Sequence, residues 1–266
     1  MRLTVVGCSG SMSGPASAAS CYLVQADGAD GSGRTRTWSV LMDLGSGAMG
    51  ALLNHVDPAE VDLLALSHLH ADHMVDMIGM QVYRRWHPVG GLSPLPVLAP
   101  AGALDRVRGV GGDDESETYA GEFTFAEHRP GAPVRVGPLT LESFPVNHPV
   151  PAFGLRVSGP SSRPDGPARV TLAYTGDTDL CGQLLPLAAD VDLLLSEAAF
   201  QEGRDTVRGV HLTGRRAGEL AASASVRRLV LTHLQPWTDP EVVRGEAQEA
   251  YTGPVDVAAP GARWVL

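Results

Sequence analysis

The 266-residue chain contains no lysine. Its twenty basic residues are all arginine, set against thirty Asp and Glu, for a formal net charge of −10. A protein that grips long nucleic acid through its phosphates carries a basic surface. This balance therefore argues against a long RNA or DNA partner. Any phosphate contact falls to arginine, histidine, backbone or metal. Cysteine is nearly as scarce: Cys8, Cys21 and Cys181 are odd in number, widely spaced and form no C-x-x-C pair. That pattern points to free thiols in a reducing compartment, not to a disulfide framework. No apolar run reaches the about eighteen residues of a membrane span. The chain opens directly on the strand-like Leu3-Thr4-Val5-Val6, without the layout of a secretory leader, so a cytoplasmic location is expected. Hydrophobic residues make up 44% of the chain, ample for a core, and no linker divides it; one domain over 1–266 is expected.

Against these absences stands one dense cluster. Ser67-His68-Leu69-His70-Ala71-Asp72-His73 follows the apolar run Val61-Asp62-Leu63-Leu64-Ala65-Leu66. On an extended backbone His68 and His70 point the same way. Asp72 and His73 fall where the chain must turn, so they address a second point nearby. One ligand pair per ion from a single loop is the layout of a two-metal hydrolase. Three later ligand-type residues sit at the ends of strand-like runs: His148 in Val146-Asn147-His148-Pro149, Asp177 in Tyr174-Thr175-Gly176-Asp177-Thr178, and His233 in Leu231-Thr232-His233-Leu234. Asp177 has an alternative role as the cap of a helix beginning near Thr178. His55, His87 and His128 lack such a context and read as surface or core residues.

Together these segments resemble the metallo-β-lactamase superfamily over nearly the whole chain. Leu194-Leu195-Ser196-Glu197-Ala198-Ala199-Phe200 and Val210-His211-Leu212-Thr213 are similar to segments of its ribonuclease Z-like branch, with Ser196 where that branch usually carries His. Within the branch, Val5-Val6-Gly7-Cys8-Ser9-Gly10-Ser11 and Leu231-Thr232-His233-Leu234-Gln235-Pro236-Trp237 resemble bacterial cyclic-nucleotide phosphodiesterases. The resemblance implies an α/β fold of the α+β kind, a four-layer αββα sandwich. It implies a first metal on His68, His70 and His148, a second on Asp72, His73 and His233, and Asp177 bridging. Two divalent ions are expected, zinc first, with Mn²⁺ or Fe²⁺ accepting similar ligands. A hydroxide shared between the ions would attack the substrate, and Asp72 is a candidate to orient it. His211 is the candidate acid for the leaving oxygen, its other nitrogen fixed by Glu197. The plainer alternatives are a helix-start residue for His211 and a surface ion pair for Glu197. Ser9, Ser11 and Ser13 are open candidates for lining the site or forming a polar turn.

The pattern along the chain is mixed α and β. Strands are expected at 3–7, 20–26, 37–43, 61–66, 94–100, 139–144, 153–157, 170–174, 191–197 and 228–231. Helices are expected at 48–55, 76–86 (with Met77, Met80, Val82 and Tyr83 as apolar candidates), 181–188, 215–224 and 241–250. The acidic run Gly111–Glu117 reads as a solvated loop.

Four functions compete. A dinuclear phosphodiesterase acting on 3′,5′-cyclic nucleotides is favoured. Processing of tRNA 3′ ends is the first alternative, but only 28 residues separate His148 from Asp177, which leaves no room for a long basic arm. A thioesterase or lactonase would use the same metals on an acyl carbon. A metal-free binding module would not need so full a ligand set. The expected partner is a small phosphodiester, with no membrane; a homodimer is common in the resembled branch.

Overall fold

Runs such as Leu193-Leu194-Leu195 have no polar alternation, so a strand built from them needs cover on both faces. The computed structural model describes residues 1–266 and supplies that cover. The first sheet holds β1 (Arg2–Ser9), β2 (Ala18–Ala19), β3 (Cys21–Ala29), β4 (Thr35–Met42), β5 (Leu63–Ala65), β6 (Leu95–Ala99) and β7 (Phe123–Glu127). The second holds β8 (Val134–Val136), β9 (Leu139–Pro145), β10 (Phe153–Pro160), β11 (Arg169–Tyr174), β12 (Leu193–Glu197), β13 (Leu229–Thr232) and β14 (Val255–Val257). The last strand, β15 (Arg263–Val265), returns to pair with β1.

Strand alternation sorts the apolar residues into layers. Tyr22 and Val24 of β3, Val40 and Met42 of β4, and Leu193 and Leu195 of β12 face the space between the sheets. Leu23, Leu41 and Leu64 face outward onto α1 (Ala48–Leu52), α3 (Met77–Arg85) and α4 (Ala103–Gly111); α2 is the short turn Ala71–Met74. Leu194 and Leu231 face α5 (Leu184–Ala188), α6 (Gly214–Ser223) and α7 (Pro240–Ala250) on the far side. This is the expected αββα sandwich, with three apolar layers between its four. No helix is long and apolar enough to cross a membrane.

Several local expectations need correction. The first helix stops at Leu52, not His55, because Leu53 is exposed and has no core to join. Strand β5 ends at Ala65, so His68 and His70 sit in a loop and not on an extended strand. Val82 is on the exposed face of α3, whereas Met77 and Met80 are buried. Helix α4 and the short strands β7, β8, β14 and β15 lie outside the expected elements. The acidic 111–117 run is more than a solvated face: Glu117 pairs with Arg85 at 3.0 Å, and Tyr119 donates to Asp113.

Strands β4 and β5 are parallel, as are β11, β12 and β13. Strand β9 runs with β11, because both are antiparallel to β10. The carboxyl ends of β5, β9, β11, β12 and β13 therefore lead into the loops with His68–His73, His148, Asp177, Glu197–His211 and His233. In open α/β sheets this is the edge where ligands bind.

Candidate metal centre

The loop after β5 is drawn inward by a buried anchor. Asp43, at the end of β4, accepts the Ser67 amide at 2.6 Å and the Ser67 hydroxyl at 2.8 Å. Tyr174 donates its hydroxyl to the same carboxylate at 2.9 Å, and His73 Nδ1 lies 2.8 Å from it. Gly45 permits this approach: a Cβ there would stand 1.9 Å from the carbonyl oxygen of Asp72. On the other side, a Cβ at Gly10 would meet the carbonyl of His233 at 2.0 Å. Asp43 and His233 themselves hold φ near +60° (62° and 59°), a strained setting for non-glycine residues that surrounding contacts must enforce.

Two clusters result. His68, His70 and His148 form one; Asp72, His73, Asp177 and His233 form the other. In the first, His70 Nδ1 lies 3.0 Å from His68 Nε2 and 3.2 Å from His148 Nε2. In the second, Asp177 Oδ2 lies 3.3 Å from His73 Nε2 and 3.2 Å from His233 Nε2, and Asp72 Oδ2 lies 3.4 Å from His73 Nε2. The same Asp177 oxygen is 3.7 Å from His68 Nε2, so one carboxylate touches both groups. No helix starts at Thr178; α5 begins at Leu184, and the capping alternative for Asp177 falls away.

This donor set fits divalent cations. Four rings have their outer nitrogen engaged: His68 by Ser67 Oγ at 3.1 Å, His73 by Asp43, His148 by the Val210 carbonyl at 2.9 Å and His233 by Ser20 Oγ at 3.0 Å. Such bonds fix the ring and leave the inner nitrogen as the donor atom. Burial pushes His68, His70, His148 and His233 below the ordinary histidine range, toward the neutral form a metal requires. His73 Nε2 and Asp177 Oδ1 are buried without a hydrogen-bond partner, which is costly unless a cation satisfies them. Burial opposes charge on Asp177, yet His233 and His73 hold it well below the usual carboxylate range. Burial likewise opposes charge on His73, and Asp177 and Asp43 overcome it. A positive charge belongs between these carboxylates.

His211 stands beside both clusters, its ring 5.6 Å from that of His148 and 5.5 Å from that of His233. Its Nδ1 is 3.0 Å from Glu197 Oε1. Glu197 is fully buried, not a surface ion-pair residue, and also accepts the amides of Thr178, Ala199 and Leu212 at 2.9–3.1 Å. Burial works against a charged His211, but Glu197 and then Asp177 push its pKa up to about 9. Ser196 turns its hydroxyl to the Glu197 carbonyl and leaves the Glu197–His211 pair intact.

The sequence reading missed the supports: Asp43, Ser20, Tyr174, Asp179 and Arg216. Asp179 accepts Arg216 Nη1 at 2.8 Å and the Gly209 amide at 2.7 Å. That buried pair holds the turn whose Val210 carbonyl orients His148 and whose next residue is His211. A leftover signal existed only for Asp43, a polar residue closing an apolar strand before Gly45 and Gly47. Among the open serines, Ser9 is buried against Leu234 through a backbone bridge and Ser11 brings its amide to 3.3 Å from His233 Nε2. Ser13 makes no hydrogen bond to either cluster. His128 is a core residue, between Ser143 Oγ and the Leu66 carbonyl at 2.8 Å each, and His55 and His87 belong to neither cluster.

A sandwich whose strand ends gather histidines and carboxylates around a cation site defines a metal-dependent hydrolase. Residues 39–234 match the β-lactamase superfamily domain, and the chain belongs to the metallo-β-lactamase superfamily. It is 40% identical over 262 residues to an uncharacterized protein of Mycobacterium tuberculosis, a match covering 96% of this chain and 88% of that one. It is 28% identical to the probable metallo-hydrolase YhfI of Bacillus subtilis, over 99% of both chains. The crystal structure of YhfI superposes with a TM-score of 0.83, covering 99% of this chain and 98% of that one. A ribonuclease Z of Myxococcus xanthus is 29% identical over 84% of this chain and 86% of its own length.

Proposed function

We propose that this protein hydrolyses small phosphodiesters, 3′,5′-cyclic nucleotides foremost, with two divalent ions. His68, His70 and His148 would hold one ion, Asp72, His73 and His233 the other, and Asp177 would reach both; zinc suits this nitrogen and carboxylate set. The observation that carries the reading is Asp177 Oδ2, within 3.2–3.7 Å of three imidazole nitrogens drawn from both clusters. Bound ions supply Lewis acidity toward phosphate oxygens and lower the pKa of coordinated water.

The chain's own groups do the rest. Asp72, at the lip of the second cluster and 12% exposed, is placed to accept a proton from the attacking water and aim it. Glu197 fixes the His211 ring through Nδ1 and sustains its charge, so His211 presents a proton at Nε2 for the leaving oxygen. An alkoxide leaving from phosphorus needs that proton more than a thiolate does, which favours a phosphodiester over a thioester.

Small substrates are favoured over tRNA by two observations. The 28 residues between His148 and Asp177 fold back as β10 and β11, with no protruding arm. The surface carries net negative charge and no lysine. The relative named ribonuclease Z keeps the tRNA reading as the second one. A panel of cyclic AMP, bis-p-nitrophenyl phosphate, a tRNA precursor and an acyl thioester, each with added Zn²⁺ or Mn²⁺, tests the choice. Cyclic AMP is expected to be cleaved; cleavage of the tRNA precursor or the thioester with cyclic AMP untouched would overturn it.

A further inference from the structure

The cavities of the molecule differ in what lines them. One, about 540 Å³, lies at the edge between β7 and β8, against Phe125, Arg129 and Val134, with no cluster residue in its wall. A second, about 420 Å³, is lined by neighbours of His233 such as Thr232 and Leu234, but by no cluster residue. A third, about 350 Å³, does open on a cluster: its wall includes His70. It lies between the His68–His70 loop and the loop after His148, walled by Leu69, Pro100, Ala101, Val150 and Pro151, with Arg106 as its one fully charged side chain. The volume falls within the about 300–1,000 Å³ of small-molecule sites, which pair apolar walls with a few placed polar groups.

Arg106 is held in a specific way. Its Nε donates to the Leu69 carbonyl at 3.2 Å, one residue before His70. No carboxylate pairs with it, and its two terminal nitrogens make no hydrogen bond within the protein. The result is a planar cation, exposed on one side, tethered beside a metal-ligand candidate. The same cavity is walled by Pro100, Val150 and Pro151. A flat ring slides between a guanidinium plane and such walls; a linear acyl chain gains nothing from the plane. Bases are held in this way, on guanidinium and apolar faces, where proteins bind them without pairing.

We propose that this cavity is the base subsite, seating the purine or pyrimidine ring of the substrate against the Arg106 guanidinium while the phosphodiester sits at the clusters. This rests on the cyclic-nucleotide reading above and extends it to the residue that selects for a base. Arg106 contacts the substrate away from the reacting atoms, so its contribution is to KM.

The test compares two substrates on the metal-loaded protein, cyclic AMP and bis-p-nitrophenyl phosphate. In Arg106→Ala the ratio of kcat/KM for cyclic AMP to that for bis-p-nitrophenyl phosphate is expected to fall about fivefold or more, carried by KM. Calorimetric affinity for adenosine 5′-monophosphate is expected to weaken by a similar factor. Arg106→Lys keeps the charge and loses the plane, and is expected to behave like Arg106→Ala. An unchanged ratio in Arg106→Ala, or full selectivity in Arg106→Lys, overturns the subsite while leaving the cyclic-nucleotide reading intact. Wild-type protein that cleaves bis-p-nitrophenyl phosphate but no cyclic nucleotide overturns the reading itself, and the subsite with it.

Discussion

The cluster of Asp72, His73, Asp177 and His233 contains two carboxylates and is almost wholly buried. The cluster of His68, His70 and His148 contains no carboxylate of its own, and two of its rings are half-buried. Their supports differ too. Behind the first-named group stand buried side chains in or next to strands: Asp43, just after β4, and Tyr174 of β11 behind His73, and Ser20, between β2 and β3, behind His233. In the all-histidine group, His148 leans on one backbone carbonyl, Val210, on the loop before α6, His68 leans on Ser67 Oγ, and His70 has no such partner. Charge and the fuller support therefore reside on the same side. A dication is stabilised most where opposite charges sit in a poorly screened interior, and a ligand holds best when its own partner is fixed. The carboxylate-rich side is expected to bind its ion tightly and the all-histidine side to bind loosely and exchange first.

The largest effect belongs to the residue common to both. Asp177→Ala removes the carboxylate that lies within 4 Å of both clusters and leaves Asp72 alone beside His73 and His233. Metal content should fall for both ions and turnover by about a thousandfold, several kcal/mol of lost stabilisation. Elemental analysis after dialysis checks it; loss of a single ion would mean that Asp177 serves one side alone.

His211 belongs to neither side and should separate ion holding from proton delivery. His211→Ala is expected to keep both ions and lose about a hundredfold in kcat, the low end for a general acid. Glu197→Gln should follow it in direction with a smaller loss. Normal turnover in His211→Ala would remove the ring from the mechanism.

Asp43→Asn tests the better-supported side. The amide cannot accept from Ser67, Tyr174 and His73 as the carboxylate does. Affinity at the carboxylate-rich site should fall by about 10- to 100-fold, with the other site less affected. Stepwise titration against a chromophoric chelator resolves the two.

Why the two clusters are legible in the sequence and their supports are not follows from distance along the chain. His68, His70, Asp72 and His73 fall within one loop, and His148, Asp177 and His233 each follow an apolar run that becomes β9, β11 or β13. Periodicity and residue chemistry suffice to find them. Asp43 works through partners 24, 30 and 131 residues away, and Asp179 through one 37 residues away. Little local marks such residues: Asp43 only closes a strand-like run, and Asp179 sits in a segment that reads as a turn. The same holds for the fold. Strands with both faces buried announce themselves, whereas α4 carries Gly109 and Gly111 and is held by Val107 packing, and β8 and β15 are three residues long with no room for a period.

The smallest of these effects on ion binding is the most discriminating, because it reaches the all-histidine side through residues that touch none of its three rings directly. Asp179→Asn keeps an oxygen for the Gly209 amide but gives up the charge that pairs with Arg216, whose side chain is 7% exposed. Arg216 retains the Glu202 carboxylate at 3.7 Å and the His211 carbonyl at 3.4 Å, so the fold should survive. What loosens is the turn 209–211, and with it the Val210 carbonyl that orients His148. The expected result is about a tenfold weaker ion at the all-histidine site, with the carboxylate-rich site unchanged. Equal weakening at both sites would show that the Asn147–Asp179 backbone bridge, which ties the His148 loop to the Asp177 loop, makes the two sites one mechanical unit. The contrast drawn between them would then hold for charge alone.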